Sequence, residues 1–506
     1  VTAERAIGPT RWVTAALRGL LAAVAALGVA ELAAGLLGRA SSSPLLAVGA
    51  AFIDLTPVWL KDFAIRRFGD DDKTALLVGL GVGVTLAALA VGLVSRIRLG
   101  YALAGLAAFG AAGVAAALTR PVAGPADAAP SAIGALAGMA ALVVLVRGGA
   151  REAPDRRALL TGAGVVAVAA ASGTAGRWLL RRGDVSAVRA DTRLPRPAGP
   201  ARPVPPAAQA RAPGMTPFRT SNRDFYRVDT ALTLPQVDPR EWTLRIHGMV
   251  ARPVELGFDD LLRLALIERD ITLSCVSNQV GGDLAGNARW LGAPLAPLLR
   301  RAGITSGADQ ILSRSADGMT LSTPIEAVLD GRDAMVAVGM NGEPLPIAHG
   351  FPARLVVPGL YGYVSATKWV VDLKVTRFAT DHAYWTRRGY ADRAPVKTFS
   401  RVDVPKPLAT VRAGRVAVAG TAWAQHRGVA AVEWQVDGGP WRQARLAPVP
   451  GLDTWRQWTA EWDAAPGSHT LRCRATDGTG HTQPEHRTPP FPDGATGWHS
   501  VVVTVT

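Results

Sequence analysis

The chain of 506 residues holds two cysteines, Cys275 and Cys473. So small a supply excludes a disulfide scaffold, and no CxxC or CxxCH pair is present for zinc, an iron–sulfur cluster or c-type haem. Histidine is scarce as well, and the first in the chain is His247. The apolar part that precedes it has no imidazole, which excludes a bis-histidine b-type haem there. The formal charge of +15 points at first to nucleic acid. Aromatic residues make up only 6%, and no stripe interleaves them with the basic ones, so a nucleic-acid-binding face is excluded. The arginines instead are scattered or flank apolar runs.

Those runs dominate residues 1–182, which are rich in Ala, Leu, Val and Gly. Stretches at 13–38, 74–95, 98–118, 130–147 and 158–176 are each long enough to cross a bilayer, predicting an N-terminal α-helical transmembrane bundle. A further run, "LLAVGAAFIDLTPVWL" (45–60), is short and broken by Asp54 and Pro57, and reads as a re-entrant or interfacial helix. With five spans, Arg5, Arg11, Arg96, Arg98, Arg147, Arg151, Arg156 and Arg157 all lie on the cytoplasmic side. The positive-inside rule then places the rest of the chain outside. "DRRALLTGAGVVAVAAASG" (155–173) agrees, with twin arginines ahead of a weakly apolar run as in a twin-arginine export signal. Ionisable residues in the spans are few, Glu31 and Asp54 among them, so the reading is anchorage in membrane lipid or docking of a partner subunit rather than transport.

Residues 183–215 are Pro/Ala/Arg-rich without apolar periodicity and predict an extended, semi-rigid linker. From 216 the pattern changes. "EWTLRIHGMV" alternates as a strand and "FDDLLRLALI" carries helical spacing, predicting an α+β domain over 216–395. Over 396–506, strand patterns such as "RVAVAGTAW" and "GWHSVVVTV" are separated by turns at "DGG" and "DGTG". This predicts an immunoglobulin-like β-sandwich without the paired cysteines of antibody domains. Cys473, in the alternating "HTLRCRATD", reads as an inert core thiol, and Trp434, Trp441, Trp455, Trp458 and Trp462 as core or interface residues.

"NGEPLPIAHGFPARLVVPGLYGYVSATKWVVDLKVT" (341–376) resembles the sulfite-oxidase family of molybdopterin enzymes. "SNRDFYRVDTAL" (221–232), "LSCVSN", "YWTRRGY" (384–390) and "SRVDVPKP" (400–407) match other parts of that pattern in collinear order. The resemblance implies a molybdenum-molybdopterin cofactor with Cys275 as the protein's ligand to the metal, since molybdenum favours soft sulfur donors. It implies that Arg354 and His349 hold the pterin and its phosphate, and that Ser365, Thr367 and Lys368 close over the pterin rim. Asn222, Tyr226 and Ser315 would contribute from neighbouring turns. Arg227 would face a small oxyanion or sulfur-oxo substrate, and Tyr390 the reacting oxygen, in two-electron oxygen-atom transfer. The C-terminal domain is the dimerisation domain in relatives, which leaves a homodimer open. Electrons would pass to a separate electron-transfer protein or a quinone.

One departure puts the substrate in question. Val280 stands where sulfite oxidases carry an anion-binding arginine, and Arg289 in "GNARW" is a candidate to reach in from the following loop. Two other readings stay open: a reductase of sulfoxides using the same ligands, and a non-enzymatic membrane receptor with an adhesive sandwich.

Overall fold

Long runs of alanine, leucine and glycine become helices in an apolar solvent, because each backbone group must be satisfied within its own segment. In the computed structural model, which describes residues 9–57, 60, 63, 67, 72–120, 122–148, 156–181 and 184–506, they do so. The chain divides into two units, Val1–Val185 with Asp229–Gln236, and Ser186–Val228 with Val237–Thr506.

The first unit contains α1 (Pro9–Leu36), α2 (Pro44–Leu55), α3 (Asp72–Val94), α4 (Leu99–Leu118), α5 (Ala129–Gly148) and α6 (Arg156–Arg181). Five stretches are long and apolar enough to cross a membrane: Trp12–Leu36, Lys73–Val94, Leu99–Leu118, Pro125–Gly148 and Leu159–Leu180. At 12 residues, α2 is only about 18 Å long and falls short of a bilayer. Helix α1 packs against α3, α5 and α6. Its Gly19 lies so close to α3 that a β-carbon there would stand 2.0 Å from the Ala88 carbonyl oxygen; Gly28 and Gly35 meet Ala169 and Gly176 of α6 in the same way. Small residues of this kind let helices pack by van der Waals contact where lipid removes the hydrophobic drive. Leu86, Leu136 and Leu159 point outward, more than 60% exposed, as a lipid-facing surface requires. Both acids noted in the sequence have partners: Arg120 donates to Asp54 at 2.9 Å, and the Ser43 hydroxyl donates to Glu31. Asp229 pairs with Lys73, which fastens Asp229–Gln236 to this unit. Arg5 and Arg151, on which the orientation reading partly rests, lie outside the described residues.

The second unit opens with a short helix, Ser186–Asp191, and then contains ten strands: β1 (Thr243–Gly248), β2 (Val254–Gly257), β3 (Ile267–Ser274), β4 (Ala285–Pro294), β5 (Gln310–Ser315), β6 (Thr320–Pro324), β7 (Met335–Met340), β8 (Glu343–Pro344), β9 (Arg354–Val356) and β10 (Val370–Thr376). One sheet runs β2-β1-β10-β5-β6, with β1 and β10 parallel; the other runs β3-β4-β7-β8, with β9 also paired to β7. Every residue of β7 is buried, and Leu244, Ile246, Val338 and Leu355 belong to the shared core. Helices among these strands are short, so the region is β-rich.

The stretch read as a linker is laid along this unit. Arg189 donates to the carbonyls of Leu345 and Pro344, both at 2.7 Å, Gly199 bridges to Ile267, and Ala208 is fully buried. Beyond 396 come two further sheets. One contains Phe399–Val404, Gly414–Trp423, Arg445–Leu446 and Arg456–Ala464; the other contains Thr410–Val411, Val429–Val436, Arg442–Gln443, Gly467–Asp477 and His499–Val505. Residues of both sheets form one core, including Val418, Trp434, Trp458, Leu471 and Val503. Cys473 lies in that core, fully buried. Trp455, Trp423 and Phe399 instead join the core of the preceding strands, so the two layers share a buried seam.

Candidate functional site

Strand β3 ends at Ser274, and residues 275–284 form the turn into β4. Cys275 opens this turn, its N–H donating to the Leu284 carbonyl at 2.9 Å. The Asn278 side-chain oxygen accepts from Leu284 N–H at 2.9 Å and braces the inside. Cys275 is 8% exposed, and the Ser277 N–H donates to its Sγ at 3.4 Å. Burial raises the thiol pKa, opposed in part by that N–H. A soft metal ion bound here must displace the thiol proton.

The second wall is the stretch from Ile347 to Val370. Gly350 has φ of +109°, and a β-carbon there would lie 3.0 Å from Lys368 Cα and 3.1 Å from Arg354 Cβ; only glycine lets the three meet. Arg354, 5% exposed, donates to the carbonyls of His349 at 3.1 Å and Ala366 at 3.2 Å, and its guanidinium lies 5.0 Å from the centre of the Trp290 ring. No carboxylate pairs with Arg354 among the described residues. Burial lowers its pKa to about 10, which still leaves it cationic at neutral pH. His349 stands within 3.1 Å of the Asn222 carbonyl. Burial, then the charge of Arg354, lowers the His349 pKa to about 4, so its neutral ring donates from Nε2 and keeps Nδ1 as an acceptor.

The third wall is the segment leading from Phe218. Phe225 packs edge-on against Trp290 and His349, with ring centres 5.7 and 5.5 Å apart. Tyr226 keeps part of its surface exposed, yet burial of the phenol, followed by the neighbouring Cys275, raises its pKa; Arg354 acts in the opposite sense. Arg227 is near enough for its charge to disfavour protonation of His349. These contacts bring Cys275, Tyr226, Arg227, His349 and Arg354 into one neighbourhood.

Each of the other predicted residues is held by its own local contacts. Lys368 Nζ donates to the Ala348 carbonyl at 3.3 Å and lies 4.8 Å from the Trp369 ring centre. Ser365 donates to the carbonyls of Leu360 and Tyr361, and Thr367 shares a 2.6 Å hydrogen bond with Ser313; both are buried. Ser315 closes a turn in which its backbone N–H reaches Met319. The Asn222 amide bonds to Asn341, Met340 and Glu343, so Asn222 offers His349 its backbone rather than its side chain. Tyr390 sits in an aromatic cluster, 5.5 Å from Tyr363, 5.3 Å from Trp385 and 5.1 Å from Phe491. Arg289 does not enter the site: Nε and Nη2 grip Asp270 on β3 at 3.1 and 2.6 Å.

Two residues escaped the sequence reading. Tyr361, within "GLYGY", is 2% exposed and lies within electrostatic range of Cys275. Asn278 follows the cysteine by three positions, and its buried Nδ2 has no hydrogen-bond partner among the described residues. The "SCVSN" stretch held that second signal beside the cysteine.

A buried cation without a carboxylate, an orphaned amide donor and one thiol in the same neighbourhood fit an anionic, sulfur-bound metal cofactor. Residues 231–385 match the oxidoreductase molybdopterin binding domain family. The chain is 28% identical over 328 residues to mitochondrial sulfite oxidase of Mus musculus, covering 54% of this chain and 59% of that protein. It is 31% identical over 153 residues to the uncharacterized oxidoreductase YuiH of Bacillus subtilis, covering 30% of this chain and 74% of that protein. The sulfane dehydrogenase SoxCD of Paracoccus pantotrophus aligns in three dimensions at 24% identity and a TM-score of 0.49, covering 59% of this chain and 86% of that one. The chain spans 55% to 59% of the length of the mammalian sulfite oxidases it matches. The chain belongs to the sulfite-oxidase family of molybdopterin-dependent oxidoreductases, whose cofactor is molybdenum held by molybdopterin.

Proposed function

We propose that this is a membrane-anchored oxidoreductase catalysing two-electron oxygen-atom transfer, sulfite-oxidase-like, with its catalytic domain outside the cytoplasm. One observation carries the reading: the Cys275 thiol is buried in a tight turn, and both it and the buried Arg354 cation, which no carboxylate of the described residues pairs, act on Tyr226. When bound, molybdenum-molybdopterin supplies the metal centre that cycles between oxidation states. Cys275 gives that centre a thiolate. Arg354 and the Asn278 amide present donors to the anionic cofactor, and His349, held neutral, presents Nδ1 as an acceptor. Tyr226, Lys368, Ser365, Thr367, Ser315 and Asn222 shape the cradle, the last four through the hydrogen bonds that brace its walls. Arg227 offers positive charge to the substrate, and Tyr390 a hydroxyl to the reacting oxygen.

The anchor is the helical unit in membrane lipid, and flanking arginines support the external placement. The two C-terminal sheets are read as immunoglobulin-like, with homodimerisation as one use of their surface. Electrons leave to a separate electron-transfer protein or a quinone. Elemental analysis of protein from a cofactor-making host, together with sulfite turnover, tests the reading; protein free of molybdenum would overturn it.

A second reading, reduction of sulfoxides, is favoured by Arg289. Its charge is taken up by Asp270, and Val280 adds none, so the site has less grip on an oxyanion than a sulfite-oxidising site requires. Parallel assays with sulfite and methionine sulfoxide separate the two.

A further inference from the structure

We propose that Arg401 and His499, both from the C-terminal sheets, are positioning residues that hold the Cys275 turn in its metal-binding shape. The inference rests on Cys275 being the metal ligand. The turn is tied at its base by the Cys275 and Leu284 backbones; at its far side the Asn278 side chain reaches Gly282 from within the turn, while Arg401 and His499 reach Gly282 and Gly281 from another layer of the protein. Arg401 Nη1 donates to the Gly282 carbonyl at 2.7 Å. The His499 imidazole presses on Gly281, where φ is +80° and a β-carbon would lie 2.2 Å from Nε2.

Neither residue is free to move. Arg401 is 7% exposed; its Nε donates to Asp403 at 2.9 Å, and Asp403 also accepts from Thr421. The guanidinium lies between Trp423 and Trp455, 5.7 and 5.9 Å from their ring centres. His499 accepts the Val402 N–H at Nδ1, 2.9 Å away, which fixes the ring plane and leaves Nε2 facing the turn. The adjoining strand is fastened from the same side: Thr272 N–H donates to the Asp453 carbonyl, Trp455 N–H to Thr272 Oγ1, and Gln425 to the Thr272 carbonyl, at 2.7–2.9 Å. A ligand thiolate must be held to a few tenths of an ångström, and a turn rich in glycine cannot do that alone. The C-terminal sheets therefore act as the floor of the active site.

The test uses the full-length holoenzyme in detergent and three variants: Arg401→Met, Arg401→Lys and His499→Asn, the last keeping an acceptor for Val402. Hydrogen–deuterium exchange is followed on peptides covering 275–285, with alkylation of Cys275 and Cys473 read by mass spectrometry. The expected result is exchange about tenfold faster in the turn for Arg401→Met and His499→Asn, with partial rescue by Arg401→Lys and Cys473 still unlabelled. Arg401→Met strands Asp403, so Cys473 serves as the gauge of general loosening. Unchanged exchange in both variants overturns the proposal, as does opening of the turn and Cys473 together in both. The molybdenum content of the unaltered protein is measured separately. If it is absent, the ligand assignment fails, while the exchange data still decide whether Arg401 and His499 clamp the turn.

Discussion

Arg354 and Trp290 meet face to cation, the guanidinium 5.0 Å from the ring centre, in a place where the arginine donates only to backbone carbonyls. No carboxylate of the described residues takes up its charge. Replacing it by methionine removes charge-assisted bonds worth about 1.5–3 kcal/mol, so bound cofactor should fall at least about tenfold. The melting midpoint of the cofactor-free chain should hold or rise, because an unpaired buried charge is gone. Molybdenum content and a thermal melt check both halves.

Cys275→Ser should keep the fold and lose metal-centred turnover, since a hard alkoxide is a poor substitute for a polarizable thiolate. Circular dichroism should superimpose on that of the unaltered protein. Unchanged turnover would remove the ligand assignment.

Gly350→Ala should destabilise by about 1–3 kcal/mol and loosen Lys368 from Arg354, because a left-handed backbone and a 3.0 Å contact with Lys368 Cα both oppose a side chain. Denaturant unfolding, followed beside cofactor content, tests this.

His499 gives a pH signature. Burial first, then Arg487, lowers its pKa from 6.5 to about 4, with Arg401 acting in the same direction and Asp403 against. Between those values the unfolded chain binds a proton that the folded chain refuses. Its contribution is therefore complete above 6.5 and is lost as pH falls toward 4, by at most about 3 kcal/mol. His349 behaves alike, so the measurement is a difference: His499→Asn should melt with a smaller drop between pH 7.5 and pH 5 than the unaltered protein.

Thr506 is exposed, so a reporter joined after it should not disturb the strands. It should be active only outside the cytoplasm. Cytoplasmic activity would reverse the proposed orientation.

The five long apolar helices were legible because apolar length is a direct physical requirement of the bilayer, and α2 was legible as shorter than that length for the same reason. The cysteine turn was legible through the resemblance of "LSCVSN" to the family's cysteine loop. Asn222 was harder: its place in the site was readable, but not that Asn341 and Glu343 would claim its amide, because such pairings depend on residues more than 100 positions away. Arg289 shows the same limit. Its register opposite Asp270 on β3 decides its fate, and register is a property of two strands. The Pro/Ala-rich stretch reads as an extended, semi-rigid linker because it has no periodicity. Extended backbone needs none to pack, and Ala208 and Ala212 are buried along it.

The two thiols are both reduced and both enclosed, one in the β3–β4 turn and one among the C-terminal strands. An oxidising surrounding therefore finds no ready partner pair to crosslink. Inactivation by peroxide should follow simple single-hit kinetics, with loss of function tracking the sulfur oxidation state of Cys275 alone and no mixture of scrambled, bridged species on a non-reducing gel.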